Sequence, residues 1–284
     1  MSKGSKGFFV AKIVVFILFI IYAISILYPF IWAFLSSLKG QMEYQLDNFA
    51  LPKEPLEGFV NYIRAFEQLS AGGKSMASMF WNSVWFTFGS SFLTVAASVC
   101  TAYVGAKYEF PGSKALGVIS ICVMLIPVYG NLSATYVQYS DLNLYDSPLM
   151  LVSYASGFGF NYIILHSFFK SIPWDYAEAS FIDGASNFKT FFRVMLPMAA
   201  SPVSALFVVT CVGMWNDYMT PILFLPSHYT IPAGLYIYQI ESERMLNYPL
   251  LFSGVLISMI PILILFIVMQ NKLMDLSIGG GIKG

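Results

Sequence analysis

The chain has 284 residues, of which 57% are hydrophobic and only 11% charged, with a mean hydropathy of +0.69. Soluble domains carry about a quarter charged residues, so this composition excludes a water-soluble globule and requires lipid as solvent. A net charge of zero gives no electrostatic footprint for nucleic acid.

Windows free of Asp, Glu, Lys and Arg run over 13–38, 75–106, 115–140, 147–169, 194–216 and 245–271. Each matches or exceeds the about 20 residues that a helix needs to cross the hydrocarbon core. The expected fold is therefore an all-α polytopic membrane protein. One transmembrane domain over 1–284 holds six transmembrane helices, at about 13–36, 81–104, 115–138, 147–169, 197–220 and 248–271. Cys100, Cys122 and Cys211 fall within these spans and read as small core residues, with no metal site implied.

The first span follows lysines, as a signal peptide would, but it is too long for a signal h-region and "FLSSLKG" is a poor cleavage site, so it reads as an anchor. After it, "LPKEPLEGFVNYIRAFEQL" predicts a proline-marked turn and a short amphipathic helix with Phe59, Tyr62, Ile63 and Phe66 on one face. "GGKS" at 72–75 is not a nucleotide-binding loop, because Gln68 stands where that pattern needs its first glycine. In the second span Ala97, Thr101 and Gly105 recur every fourth position, a small-residue row that lets helices approach closely in lipid.

Pro127, Gly130, Asn131 and Ser133 interrupt the third span, and Ser153, Tyr154, Ser156, Gly157, Gly159, Asn161 and Tyr162 line much of the fourth. Polar groups at membrane depth face protein or a wet cavity. Interhelical hydrogen bonding accounts for any one of them; several together favour a path through the bundle. Asn131-Leu132-Ser133 fits a glycosylation sequon but falls within a span. Residues 218–240 lack charge yet carry Pro221, Pro226 and Pro232 beside His228, and read as the end of the fifth span followed by a folded loop.

With the N-terminus in the cytoplasm, Lys3, Lys6, Lys12, Lys107, Lys114, Lys170, Lys189, Arg193, Lys272 and Lys283 lie inside and only Lys39, Lys53, Arg64, Lys74 and Arg244 outside. That asymmetry satisfies the positive-inside tendency and puts both termini in the cytoplasm. The segment 170–196 then becomes a cytoplasmic loop. Pro173 suits a first helical turn; Trp174, Ala177, Phe181 and Ala185 repeat at helical spacing, with Asp175 and Glu178 off that stripe. Asp183-Gly184 breaks the run, Ser186 or Asn187 caps a second helix, and Phe188, Phe191, Phe192 and Met195 form another stripe before Leu196-Pro197. Two amphipathic helices joined at a glycine bend either lie in the membrane interface or present their knobs to a groove on a soluble partner.

"EASFIDGASNFKTFFRVMLPMAASP", from Glu178, resembles the cytoplasmic loop signature of permease subunits in binding-protein-dependent ABC importers, matching at Glu178, Ala179, Gly184, Val194, Leu196 and Pro197. Ser180 replaces an alanine of that signature, and Asp183-Gly184-Ala185 has the form of the carbohydrate branch. "WNDYMTPILFL" from Trp215 and "GGGIKG" from Gly279 resemble the maltose-type second permease subunit. The resemblance implies an amphipathic coupling-helix loop over 174–197 docked on a cytoplasmic ATPase, with Glu178 as a polar contact and Gly184 at the bend. It further implies a second homologous permease subunit, two ABC ATPase subunits that hold ATP and Mg, an extracytoplasmic solute-binding protein and a sugar or oligosaccharide cargo. The chain itself would carry no cofactor and no catalytic residue, in a bacterial inner membrane.

In maltose-type systems the loop before the last span reaches into the binding protein; here it corresponds to about 233–248, with Tyr238, Glu241, Glu243 and Arg244, which equally suit a solvated loop face. Residue types suited to stacking on sugar rings or bonding hydroxyls are Tyr129, Asn131, Tyr154, Asn161, Tyr162, Trp215 and Asn216. Asp217 lines the path or orients a partner helix, and Trp215 and Tyr218 equally suit an interfacial belt. Two rival classes remain. A membrane enzyme needs clustered titratable groups, and the spans offer only His166 and Asp217. An ATPase-independent secondary transporter or channel would more typically bury ion-pairing charges at mid-membrane.

Overall fold

The structure, a computed structural model, describes residues 3–126, 131–242 and 247–279, with side chains described for 8–270 among them. Its elements in chain order are α1 Lys3–Ser37, α2 Gln41–Leu46, α3 Pro55–Gly58, α4 Val60–Gln68, the strands β1 Ser70–Ala71 and β2 Lys74–Ser75, α5 Met76–Lys107, α6 Ser113–Leu125 and α7 Leu132–Asp141. A 3-10 turn Pro148–Tyr154 precedes α8 Phe160–Ser171, α9 Asp175–Ile182 and α10 Asn187–Thr190. A π-turn Phe191–Met195 then leads into α11 Leu196–Met198, α12 Ala200–Asn216, α13 Met219–Phe224, α14 Ile231–Glu241 and α15 Tyr248–Gly279.

Among the described residues, three helices are long and apolar enough to cross a membrane: Phe8–Ser37, Met76–Lys107 and Tyr248–Gln270. The pair Asn187–Met198 and Ala200–Asn216, which meet at a 75° bend, qualifies as a fourth if taken together. The window 115–138 holds α6 and the start of α7, and Pro127, Tyr129 and Gly130 between them lie outside the described residues. The window 147–169 is not one helix. Gly159 takes φ +99, which a right-handed helix forbids, and the chain runs irregularly from Ala155 to Gly159 between the 3-10 turn and α8.

The described residues fall into two compact units, Met1–Met76 with Ile237–Met259, and Ala77–Tyr236 with Ile260–Gly284. In the first, the end of α1 organises the segment that follows. Lys39 is 1% exposed, and its ammonium donates to the Asp47 and Asn48 carbonyls, both at 3.1 Å, which offsets the cost of burying the charge. Asn61 donates to the Ser37 and Lys39 carbonyls at 2.8 and 2.9 Å. A Cβ on Gly58 would lie 2.0 Å from the Leu38 oxygen, so α3 reaches the backbone of that turn only as glycine. These contacts set which way the faces of α4 point. Asn61 and Ala65 face inward, while Phe59, Ile63 and Phe66 are exposed. "GGKS" forms the β1–β2 hairpin turn, with positive φ at Gly72 and Gly73 as a two-residue loop requires.

The second unit is built around α5. One core cluster packs Val95, Val99, Ala102 and Tyr103 of α5 against Leu165 and Phe169 of α8 and against Phe191 and Met195 of the π-turn. A second, at the other end, gathers Phe86, Met150, Phe224 and Leu225. The expected small-residue row serves close approach. Gly105 lies under the Tyr162 hydroxyl, where a Cβ would come within 2.6 Å, and Thr101 lies against Gly157. Cys211 is buried as expected, but Cys100 and Cys122 are exposed, because each points off the packed face of its helix.

Candidate functional site

The segment 172–199 is built by local chemistry. Asp175 and Glu178 occupy the first turn of α9, where carboxylates favour the positive end of the helix dipole. At its other end Gly184 adopts φ +78. Its N–H donates to the Phe181 carbonyl at 3.0 Å, and that of Ala185 donates to Ser180 at 3.0 Å. This pair of bonds is a Schellman cap, which needs a left-handed residue at the position after the C-cap. A Cβ on Gly184 would meet nothing within 4 Å, so the glycine is there for its conformation and not for space.

Two residues later the chain restarts. The Ser186 hydroxyl accepts from the Lys189 N–H at 3.3 Å and caps α10. The hydroxyls of Ser180 and Thr190 then meet at 2.9 Å, tying α9 to α10 across the bend. The knuckle sits on the core by one face: Ala177, Thr190, Phe191, Met195 and Ala199 are buried. Trp174 packs edge-on against Phe181 at 6.0 Å and against Tyr108 at 5.9 Å. Lys107 donates to the Ile172 carbonyl, and the Tyr108 hydroxyl to the Asn187 side-chain oxygen at 3.3 Å.

The other face is open. Glu178, Ala179, Asp183, Gly184 and Pro197 are exposed, and Ser180, Ala185 and Leu196 are half-buried. The most exposed large apolar side chains of the segment are Ile182 at 87% and Phe188 at 73%. Of the first predicted stripe, Trp174, Ala177 and Phe181 pack on the core, while Ala185 stays half-buried outside it. The second divides, with Phe191 and Met195 inward and Phe188 and Phe192 outward. Ile182 was not on either predicted stripe; its only signal was an apolar residue directly before the Asp183-Gly184 break.

Among the described residues, the side chains expected along a substrate path make separate contacts, except that Tyr154 and Asp217 interact. Tyr154 packs on Phe86 at 5.9 Å, at the end of the unit away from the knuckle core. Asn161 bonds Thr210 at 3.4 Å, and Tyr162 is buried in the knuckle core, stacked on His166 at 5.4 Å. Asn216 donates to its own helix at Val212, Asp217 accepts from the Thr220 N–H at 3.0 Å, and Trp215 is buried beside Phe80. Asn131 is exposed at the start of α7, and Tyr129 lies outside the described residues. Tyr238 and Glu241 are on α14, whereas Glu243 and Arg244 lie outside the described residues.

Beyond this unit's cores, Asp146 ties two loops together. Its carboxylate accepts from the Ser227 N–H at 2.8 Å and lies 3.4 Å from the His228 ring, and its own N–H donates to Phe224 at 2.8 Å. Burial pushes this carboxyl up, but the hydrogen bonds from Ser227 and His228 outweigh burial and hold it below its ordinary value.

Residues 94–274, more than half of the chain, match the family described as binding-protein-dependent transport system inner membrane component. The chain is 28% identical over 260 residues to the diacetylchitobiose uptake system permease protein NgcG of Streptomyces coelicolor, spanning 90% of this chain and 84% of that one. It is 27% identical over 292 residues to the arabinooligosaccharides transport system permease protein AraQ of Bacillus subtilis, spanning 100% of both. Among solved structures it resembles a chain of a bacterial ABC transporter involved in the import of the acidic polysaccharide alginate. The TM-score is 0.78 at 22% identity, over 95% of this chain and 98% of the other, a likeness of fold.

Proposed function

The chain belongs to the family of binding-protein-dependent transport system inner membrane components, and from this premise we propose that it is one permease subunit of an ATP-driven importer for a sugar or oligosaccharide. Relatives named for the uptake of diacetylchitobiose, arabinooligosaccharides and galactooligosaccharides support that cargo class. The subunit forms half of the translocation path. A second homologous permease forms the other half, two cytoplasmic ATPase subunits bind ATP and Mg, and an extracytoplasmic solute-binding protein delivers the sugar.

The observation that carries this reading is the knuckle at 172–199. A segment lying passively in the interface would turn its largest apolar groups toward the bundle or lipid. This one is fixed by a Schellman cap and a hydroxyl pair, and offers Ile182 and Phe188 together with Glu178 and Asp183 on its free face. That mixture fits a cleft on a soluble subunit. Both termini are cytoplasmic, and the six spans include α6 with α7 as the third and the 3-10 turn with α8 as the fourth. Of the path residues, Tyr154, Asn161, Trp215, Asn216 and Asp217 remain the side chains to test against cargo, and Tyr238 and Glu241 those against the binding protein.

The test is reconstitution of the chain with its companion permease, ATPase and binding protein in liposomes. ATP hydrolysis stimulated by sugar-loaded binding protein, with sugar uptake that stops without ATP, is the expected result. Uptake that persists with no ATPase present would overturn the reading.

A further inference from the structure

We propose that α5 is the rod that carries movement of the knuckle to the irregular segment 155–159, with Tyr108 and Thr101 as positioning residues at its two joints. The inference rests on the reading of the knuckle as the ATPase-docking element and adds the route by which its movement enters the bundle.

The first joint is at the end of α5. Lys107 donates to the Ile172 carbonyl and stands over the Trp174 ring at 6.0 Å, ahead of α9. Tyr108 packs on the same Trp174 and bonds Asn187 at the start of α10. Two neighbouring residues thus hold both arms of the knuckle. A displacement of either arm is applied to α5 directly, not only through the chain's own continuation into α8 and α12.

The second joint lies about two turns further along the same helix. Thr94, Ser98 and Thr101, on one face of α5, donate to the carbonyls of Tyr154, Ser156 and Gly157 at 3.1, 3.4 and 2.6 Å. The first belongs to the last residue of the 3-10 turn and the other two to the non-helical stretch that follows it, where irregular backbone is tolerated only if protein satisfies it. Contact there is close: a Cβ on Gly157 would lie 2.4 Å from the Thr101 methyl. Between the joints Ala102 and Tyr103 are buried in the core, so the rod is held stiff.

What makes this a joint and not merely a weld is that two of the donors, Thr94 and Thr101, have a second acceptor. The Thr101 hydroxyl lies 2.9 Å from the Ala97 carbonyl and 3.2 Å from that of Ser98, and Thr94 lies 2.8 Å from Ser90. Either threonine hydroxyl is therefore able to leave the irregular segment and bond its own helix without being orphaned in a dry interior. The contact is able to exchange between two discrete arrangements, the property a coupling element needs.

The experiment uses the complete transporter in liposomes and reads sugar transported per ATP hydrolysed. Thr101→Val keeps the shape and removes the donor; it should lower that ratio about threefold, the effect of one interhelical hydrogen bond, with assembly unchanged. Thr101→Ser, which keeps the hydroxyl, should restore it. Tyr108→Phe, which removes one surface hydroxyl and spares the fold, should lower the ratio too. The double variant should be no worse than the poorer single one, because the two act in series. A wild-type ratio in both Thr101→Val and Tyr108→Phe, or equal loss in Thr101→Val and Thr101→Ser, would overturn the proposal. Wild-type complex lacking binding-protein-stimulated ATPase would instead sink the underlying reading, and the proposal with it.

Discussion

The hydroxyl of Ser180 lies 2.9 Å from that of Thr190, ten residues on and wholly buried, so the two arms of the knuckle are bonded across their bend. Position 180 is where this chain departs from the alanine of the loop signature; an alanine there has no hydroxyl to offer Thr190. Ser180→Ala should cost about 1 kcal/mol, seen as a lowered melting temperature of the purified complex. Thr190→Val in the Ser180→Ala background should add less than it does alone. Fully additive losses would show that the pair does not act as a unit.

Gly184 tests conformation separately from space. Its φ of +78 leaves a Cβ free of contacts, so Gly184→Asn should retain most binding-protein-stimulated ATPase. Gly184→Ala should lose part of it, given a cost of about 1–2 kcal/mol for a left-handed residue with a Cβ. Gly184→Pro, whose φ is fixed at about −65°, should abolish it. Equal activity in the alanine and proline variants would contradict the cap.

Ile182 and Phe188 are exposed, and the Phe188 ring rests only on the outward-facing Phe192 at 4.5 Å among the ring contacts of the described residues. Ile182→Glu and Phe188→Ala should therefore leave subunit stability within about 0.5 kcal/mol. Each should nonetheless reduce co-purification of the ATPase by about tenfold or more, as hot-spot truncations do. Undiminished recovery of the ATPase with both variants would assign the free face to lipid.

Asp146 supplies a pH dependence of known sign. Because hydrogen bonds hold its folded carboxyl below the ordinary value, its contribution is complete above about pH 4 and is lost as the pH falls through the lowered folded value. Asp146→Asn keeps the turn, whose φ of +52 suits asparagine. That variant should melt below wild type at neutral pH, and the gap should close in acid. A gap that stays constant into acid would refute the carboxylate's part in holding Ser227 and His228.

The features legible in the sequence were those set by neighbours along the chain. Charge-free windows located the helices at 13–36, 81–104 and 248–271, and Asp183-Gly184 located the bend, because a turn glycine answers a local demand. The division of Phe188 and Phe192 from Phe191 and Met195 was not legible, since a π-turn shifts the helical period there and the core of α5 and α8 decides which rings turn inward. Nor was the irregular stretch 155–159. Glycines are common in membrane helices, and this break depends on hydroxyls at Thr94, Ser98 and Thr101, more than fifty residues earlier. Which way the aromatic face of α4 points was not legible for a similar reason: the carbonyls of Ser37 and Lys39 draw Asn61 inward and leave that face outside.

The corner at Ala199 has a geometric consequence. From it the stretch Asn187–Met198 runs off at 75° to α12, an arm of about 18 Å at 1.5 Å per residue. Swinging that arm by about 10° sweeps its far tip through about 3 Å, while the first turn of α12 beside the corner shifts by only a fraction of this. On the proposed docking role, the knuckle would work as reduction gearing: a broad stroke received at Phe188 would arrive among the spans as a small, forceful displacement.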